Sequence, residues 1–440
     1  MKNNRPNILF LLPDQHRGDW IPGMDPTLPI HMPYLESLMG EGVTFSRTVS
    51  SSPLCAPARA CLASGRRYEN CGVRDNSENY PLDKPTFYQA LRAAGYSVGG
   101  VGKFDLHKPA HWWGLDGFLE DLKTLGFTHA VDNAGKIDAV TSGKVTPSDP
   151  YMLALEQRGL RKYHVADMEQ RGQKTHPTLL PEDLYCDNWV SDNGLRMLEA
   201  FPRDSPWFLQ VNFTGPHSPF DVTVEMKKRW EHTEFPEPIA WTQGKRIQAI
   251  RQNYGAMLEN IDRNIGRMLS WLREHGQLEN TLIVYSSDHG DMLGDFNKFG
   301  KCQPEKGSVG IPLVISGPGV QKGLRSSALV ELQDLAATFS DYAQADARAF
   351  KESVSLRPVL EGRDCQHRKV IVSALNPVSC KPDQRSWRMA EDNRWKLVLE
   401  ADGRGTLFNL STDPEEAHPA ENPEAFYRMK AELLQETGPF

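Results

Sequence analysis

Short apolar runs alternate with amphipathic stretches along most of the chain. Ile8–Leu12 has the length of a strand and gives way at once to the polar cluster Asp14-Gln15-His16-Arg17. Pro33–Gly40 predicts a short helix with proline near its first turn, and Val43–Val49 alternates as a strand does. Thr86–Ala94 reads as a helix stopped at Gly95, feeding a strand over Tyr96–Val101. Trp207–Phe213 is apolar and ends in Thr214-Gly215-Pro216-His217. From about Lys245 to His275, apolar residues such as Ile247, Ile250, Tyr254, Leu258 and Ile261 recur at three- and four-residue spacing. That pattern puts one apolar stripe on a long helix, and Gly276 suits its end. Thr281–Tyr285 then leads into Ser286-Ser287-Asp288-His289-Gly290, and Pro312–Ser316 is one more short buried strand.

Strands alternating with helices predict an α/β fold built on a large mixed, mostly parallel sheet sandwiched by helices. In such sheets ligands collect at the carboxyl ends of the strands. Asp14, Lys103, His217 and Asp288 each follow a predicted strand, so they are expected on one rim. Leu106 to Leu180, rich in glycine, tryptophan and charge, reads as substrate-side insertions. Beyond Asp364 the pattern changes. Lys369–Ser373, Trp387–Ala390, Trp395–Glu400 and Thr406–Asn409 predict short antiparallel strands, and a helix from about Pro423 to Gln435 closes the chain. The expected division is therefore a catalytic domain over 1–364 and a smaller α+β subdomain over 365–440.

At 440 residues, 39% hydrophobic and 24% charged, the chain can bury a sizeable core. Its net charge of -7 argues against nucleic acid as a partner. A local basic pocket in an acidic protein is still compatible with a small anionic substrate. Seven cysteines spread over this length do not form a disulfide framework. The start, Met1-Lys2-Asn3-Asn4-Arg5-Pro6 before a short apolar run, mimics a leader peptide. It lacks a small-residue cleavage site, so it reads as the first core strand. No stretch is apolar and long enough to suggest a membrane span. The location expected from the chain as it stands is cytoplasmic, or periplasmic if a leader has been trimmed.

The segment that sharpens this picture is Cys55-Ala56-Pro57-Ala58-Arg59, continued by Leu62-Ala63-Ser64-Gly65-Arg66. Pro57 sits where a helix can begin and Gly65 where it can end. Cys55 is thus expected at a helix N-terminus, where free N–H groups favour an anion. A buried structural cysteine is the commoner fate of such a residue. The proline and arginine at fixed offsets resemble the signature of the type I, formylglycine-dependent sulfatases of the alkaline phosphatase superfamily. Further segments match that family in order. They are Asn7-Ile8-Leu9-Phe10-Leu11-Leu12-Pro13-Asp14-Gln15, Ser287-Asp288-His289-Gly290-Asp291, Phe299-Gly300-Lys301, Ile311–Gly319 and Leu407-Phe408-Asn409-Leu410.

The resemblance implies a sulfatase that hydrolyses a sulfate ester. A maturation enzyme converts Cys55 to formylglycine, and a divalent metal is held by Asp14, Gln15, Asp288, His289 and the modified residue 55. Calcium is the ion it implies. Gln15 in place of a second aspartate and His289 in place of asparagine make manganese or zinc plausible on ligand chemistry. By the same resemblance, Arg59 and Lys103 bind sulfate oxygens, His107 is the general base, and His217 with Lys301 serves the leaving group. The spacing departs from the family's usual Lys-x-His, because here it runs Lys103-Phe104-Asp105-Leu106-His107. Gln15 and His289 also resemble relatives that cleave phosphonate monoesters and phosphodiesters, so that activity stands as the alternative. A non-catalytic anion-binding relative is a remote third. The insertions suggest a sulfated carbohydrate as substrate, with choline sulfate or an aryl sulfate as alternatives; Lys108, His111, Trp112 and Trp113 are candidate contacts to a second anionic group or a sugar ring, and core packing explains the aromatics equally well.

Overall fold

The computed structural model describes residues 5–244, 246–378 and 385–439. Eight strands form the main sheet: β1 (Asn7–Leu11), β2 (Gly42–Val49), β3 (Ser97–Gly102), β4 (His129–Asp132), β5 (Trp207–Asn212), β6 (Thr281–Ser286), β7 (Leu313–Ser316) and β8 (Leu324–Glu331). Their order is β4-β3-β5-β1-β6-β7-β2-β8. Only β7 runs against the other seven, pairing antiparallel with β6 and with β2. The expected mixed, mostly parallel sheet is the one observed.

Both faces of this sheet are apolar, because helices cover both. Along β1 the alternation shows directly. Leu9 and Leu11 join a core packed under the long helix Arg246–Glu274 through Ile250, Tyr254 and Ile261. Ile8, Phe10 and Leu12 join the opposite core with Leu62, Phe87 and Phe339. The Phe87–Ala93 helix starts as its sequence demands, with Thr86 and Gln89 forming a reciprocal capping box. The long helix begins within a residue of expectation, although Lys245 itself lies outside the described residues.

A second sheet follows, with β9 (Ile371–Leu375), β10 (Trp387–Glu391), β11 (Trp395–Glu400) and β12 (Gly405–Asn409) in the antiparallel order β12-β11-β10-β9. The helix Pro423–Thr437 packs across it through Ala425, Met429 and Leu433. Ile371, Leu375, Trp387 and Met389 meet Val49, Leu54 and Leu329 in a shared apolar cluster, which seats this sheet against the main one. Among the described residues no helix is long and apolar enough to cross a membrane.

The insertion between β3 and β5 is more ordered than its composition suggests. It carries the edge strand β4 and helices Gly135–Gly143, Pro150–Gln157 and Arg161–Arg171. The Cys186–Ala200 helix, which the sequence reading missed, covers β3 and β5 from the side of the long helix.

Candidate active site

Four neighbouring strands, β3, β5, β1 and β6, deliver the site from their carboxyl ends. Asp14 follows β1, with its N–H donating to Phe213 O and Gly215 O at 3.1 Å each. Lys103 follows β3, His217 lies five residues beyond β5, and Asp288 and His289 follow β6. This is the ligand edge expected of a parallel sheet. Cys55 follows β2 on the same rim, as the first residue of the Cys55–Ser64 helix. Its cap, Leu54, is extended, and Gly65 ends the helix at φ +59°, where a Cβ would also strike Phe350.

The charged groups converge on Cys55. Its Sγ lies 2.7 Å from Lys301 Nζ, 3.3 Å from His289 Nε2, 3.4 Å from Lys103 Nζ and 3.8 Å from Asp14 Oδ1. Burial opposes ionisation of the thiol, yet Lys103, Lys301 and His289 overcome it and hold Cys55 well below the usual thiol range. Arg59, one turn along the same helix, donates Nε to Asp288 Oδ2 at 3.0 Å and Nη1 to Asn212 Oδ1 at 3.1 Å. Its Nη2 is buried without a hydrogen-bond partner, 3.8 Å from Asp14 Oδ2. Lys301 comes from a loop held by the Cys302 N–H, which donates to Pro53 O at 3.1 Å. Its ammonium also lies 2.9 Å from His217 Nε2.

The two histidines are oriented by backbone carbonyls. His289 Nδ1 donates to Gly290 O at 3.0 Å, which leaves the Nε2 lone pair facing the centre. His217 Nδ1 donates to Ser218 O. Burial first, then Lys301, holds the His217 pKa below its ordinary value, so the ring is neutral at pH 7 and Nε2 accepts from Lys301.

The donor set fits a divalent cation. Ligand atoms of Asp14, Cys55, Asp288 and His289 all lie within 4.8 Å of one another, and all four residues are buried. Gln15 adds an independent sign. Its Nε2 donates to Asp291, while its Oε1 is buried with no partner. An orphaned carbonyl oxygen in a buried site is unfavourable unless something binds it. The backbone at Gln15 is left-handed at φ +71° and is held by Tyr254, whose hydroxyl donates to Gln15 O at 2.7 Å. Strain of this kind persists where surrounding structure enforces it.

Of the residues expected here, Asp14, Gln15, Cys55, Arg59, Lys103, His217, Asp288, His289 and Lys301 meet around one point. His107 does not join them. Its Nε2 is 3.4 Å from Asp132 Oδ2, and neither ring nitrogen has a hydrogen-bond partner. The neighbour of Lys103 is instead Asp105, 3.2 Å from its ammonium. Lys108 lines the cavity over the site; His111, Trp112 and Trp113 do not, and Trp113 is core. Sequence reasoning gave no role to Asn76, Lys136 and Asp138, which line the same cavity, or to Asp187. Asp187 Oδ1 accepts from Thr214 N at 2.7 Å, Thr214 Oγ1 at 2.9 Å and Gly215 N at 3.0 Å, fixing the turn that presents His217. Only its place near the start of the helix that precedes β5 could have hinted at this.

The profile of the sulfatase family matches residues 6–345. An arylsulfatase of Clostridium perfringens is 27% identical, over 94% of this chain and 89% of its own. An N-acetylglucosamine-6-O-sulfatase of Bacteroides thetaiotaomicron is 26% identical, over 82% of this chain and 72% of its own. Among solved structures, a phosphonate monoester hydrolase of Agrobacterium radiobacter superposes with a TM-score of 0.82 at 22% identity, covering 98% of this chain and 95% of its own. The chain belongs to the sulfatase family, within the alkaline phosphatase superfamily, and with that family to the sulfuric ester hydrolases. Membership implies a divalent metal and a formylglycine made from the signature cysteine.

Proposed function

We propose that the protein hydrolyses a sulfate ester on a carbohydrate, with residue 55 as formylglycine and a divalent cation held by Asp14, Gln15, Asp288 and His289. The observation that carries this is the convergence of Lys301, Lys103 and His289 within 3.4 Å of Cys55 Sγ at a helix N-terminus. When present, the formylglycine hydrate supplies the nucleophilic oxygen and the cation neutralises charge on the sulfate. The chain's own residues do the rest. Lys103 and Arg59 bring fixed positive charge to the non-bridging oxygens, in a buried place where it acts without reorganisation. Lys301, hydrogen bonded to neutral His217, is set to give its proton to the departing ester oxygen. His107 lies beside Asp132 with neither ring nitrogen hydrogen bonded, so this proposal gives proton handling at the reacting atoms to Lys301 and His217.

Calcium is the ion that the resemblance favours; the imidazole of His289 and the amide of Gln15 suit manganese or zinc as well. Elemental analysis of purified protein, followed by chelation and re-addition of each ion, identifies it. The same two residues favour a second reading, hydrolysis of a phosphonate monoester or phosphodiester with the same nucleophile. Two measurements test the proposal. Protein made beside a maturation enzyme should weigh roughly 18 Da less than the sequence predicts, from the cysteine-to-aldehyde change. Its kcat/KM for an aryl sulfate should exceed that for a phenyl phosphonate ester; the reverse ratio selects the second reading, and no turnover of either overturns both.

A further inference from the structure

Beyond the reacting centre, the cavity of about 250 Å³ has a wall that the catalytic chemistry does not use. It is built by the Gly135–Gly143 helix and the segment at Lys108. That helix starts hard against the site: Gly135 has φ +69°, and a Cβ there would lie 2.6 Å from Lys103 Cδ. Whatever occupies the wall is therefore one side chain away from the group that binds sulfate.

The wall's charges are matched. Lys108 Nζ lies 3.0 Å from Asp105 Oδ2 and 2.7 Å from Asp138 Oδ2. An ammonium has three donors, so Lys108 keeps one N–H to offer. The Asp138 side chain is 20% exposed and lines the cavity, with Oδ2 taken by Lys108. Asn76 accepts from Ala56 N through Oδ1 at 3.0 Å, which leaves its amide N–H groups as donors at the mouth of the nucleophile's helix. Lys136, on the same helix as Asp138, is taken up by Asp221 at 2.7 Å and by Pro219 O at 3.4 Å.

We infer that Lys108, Asp138 and Asn76 form a subsite for an uncharged, hydroxyl-bearing leaving group, a neutral sugar carrying the single sulfate that is cleaved. The inference rests on the sulfate-ester reading above and narrows its substrate class. A sugar hydroxyl donates and accepts at once, so adjacent ammonium and carboxylate groups suit it. A second sulfate or a uronate carboxylate would face Asp138 and Asp105 beside Lys108 and Lys136, whose charges are already met by carboxylates. A quaternary ammonium calls for an aromatic face, and no phenyl, phenol or indole ring lines the cavity among the described residues. The volume, roughly eight waters' worth at bulk density, suits a sulfate and one ring. The expectation from sequence that Lys108 receives a second anion is replaced by this one, because its charge is already met twice.

Formylglycine-bearing enzyme tests it with three substrates: p-nitrophenyl sulfate, N-acetylglucosamine 6-sulfate and glucosamine 2-N,6-O-disulfate. The monosulfated sugar should be preferred over the disulfated one. Asp138→Ala should lower kcat/KM for the monosulfated sugar about tenfold or more and leave p-nitrophenyl sulfate within about twofold. Equal losses on both, or a preference for the disulfated sugar, overturn the subsite. Binding is read separately by saturation-transfer NMR with N-acetylglucosamine alone. A signal in the wild type that disappears in Asp138→Ala supports the subsite even for a protein that cleaves phosphorus esters, and no signal, or an equal one from glucuronate, removes it. Failure of the sulfate-ester reading shows instead as no turnover of p-nitrophenyl sulfate by the wild type.

Discussion

The reacting centre and the wall facing it share one cavity but are built by opposite means. Most centre residues stand shortly after strands of the main sheet or at the start of a helix, in places that the chain's periodicity announces; Lys301 comes from a loop. Lys108 and Asp138 stand on short helices inside an insertion and neutralise one another, while Asn76 comes from a turn before β3. The centre packs lysines, an arginine and carboxylates closely around Cys55, so removing any one leaves others mostly buried and unbalanced. The wall is balanced and partly exposed at Asp138 and Asn76, so its losses should be smaller and selective. Chemistry needs an unbalanced field aimed at a developing charge, whereas recognition of a neutral group needs donors and acceptors in equal measure.

That contrast can be broken most directly at the nucleophile. Cys55→Ala should lower kcat roughly a thousandfold or more while the thermal unfolding profile stays that of a folded protein; substantial residual turnover refutes the assignment. Lys301→Ala comes next. Its ammonium touches both Cys55 and His217, and its loss should cost about 10²–10³ in kcat, measured as a fall in kcat larger than any rise in KM. Asp187→Ala tests whether the centre depends on residues that never touch substrate. Leaving Thr214 N and Gly215 N without an acceptor should destabilise the fold by about 1–3 kcal/mol and lower kcat with KM little changed. Asp187→Asn, which keeps the accepting oxygen, should restore most of both.

The last expected effect falls on acid stability and not on turnover, and lies behind the wall. His164, on the Arg161–Arg171 helix that packs against Gly135–Gly143, is buried with its pKa pushed down to about 4 from 6.5, chiefly by desolvation. Asp221 and Asp167 pull it up, while Arg171 and Lys136 push it down. An unfolded chain binds the proton near pH 6.5 and the folded chain only near pH 4. Stability is therefore intact above pH 6.5 and is lost as pH falls from there toward 4, by up to roughly 3 kcal/mol from this group. Denaturant midpoints at pH 7.5 and 4.5 should show the loss, and His164→Leu should flatten it. An unchanged slope in that variant would place the acid sensitivity elsewhere.

The sequence was a good guide wherever burial and backbone pattern coincide. The strands that carry Asp14, Lys103, His217 and Asp288 are almost wholly buried, so β1 and β6 read as apolar runs, while glycines fill β3 and Gln210 interrupts β5. It was a poor guide to β8, whose first half, Leu324-Arg325-Ser326-Ser327, is polar or exposed at an edge of the sheet. The edge strand β4 is four residues long, too short to show a period. The Cys186–Ala200 helix contains Asp187, Asn188, Asn193 and Gly194, all weak helix formers. Gly194 instead lets Met268 of the long helix approach to 2.9 Å of where a Cβ would sit, so packing overrides propensity there.

What the sequence determined by itself is the kind of chemistry: Cys55 with Pro57 and Arg59 at fixed offsets, and acidic and basic residues placed after strands. Local spacing suffices for this, because a helix N-terminus and a strand end are local structures. Only the tertiary structure decided which of those groups meet. It brought Lys301 and His217 to Cys55, set His107 beside Asp132, left Gln15 Oε1 without a partner, and paired Lys108 with two carboxylates. Such distances depend on how insertions and loops close over the sheet, and no periodicity along the chain encodes that closure.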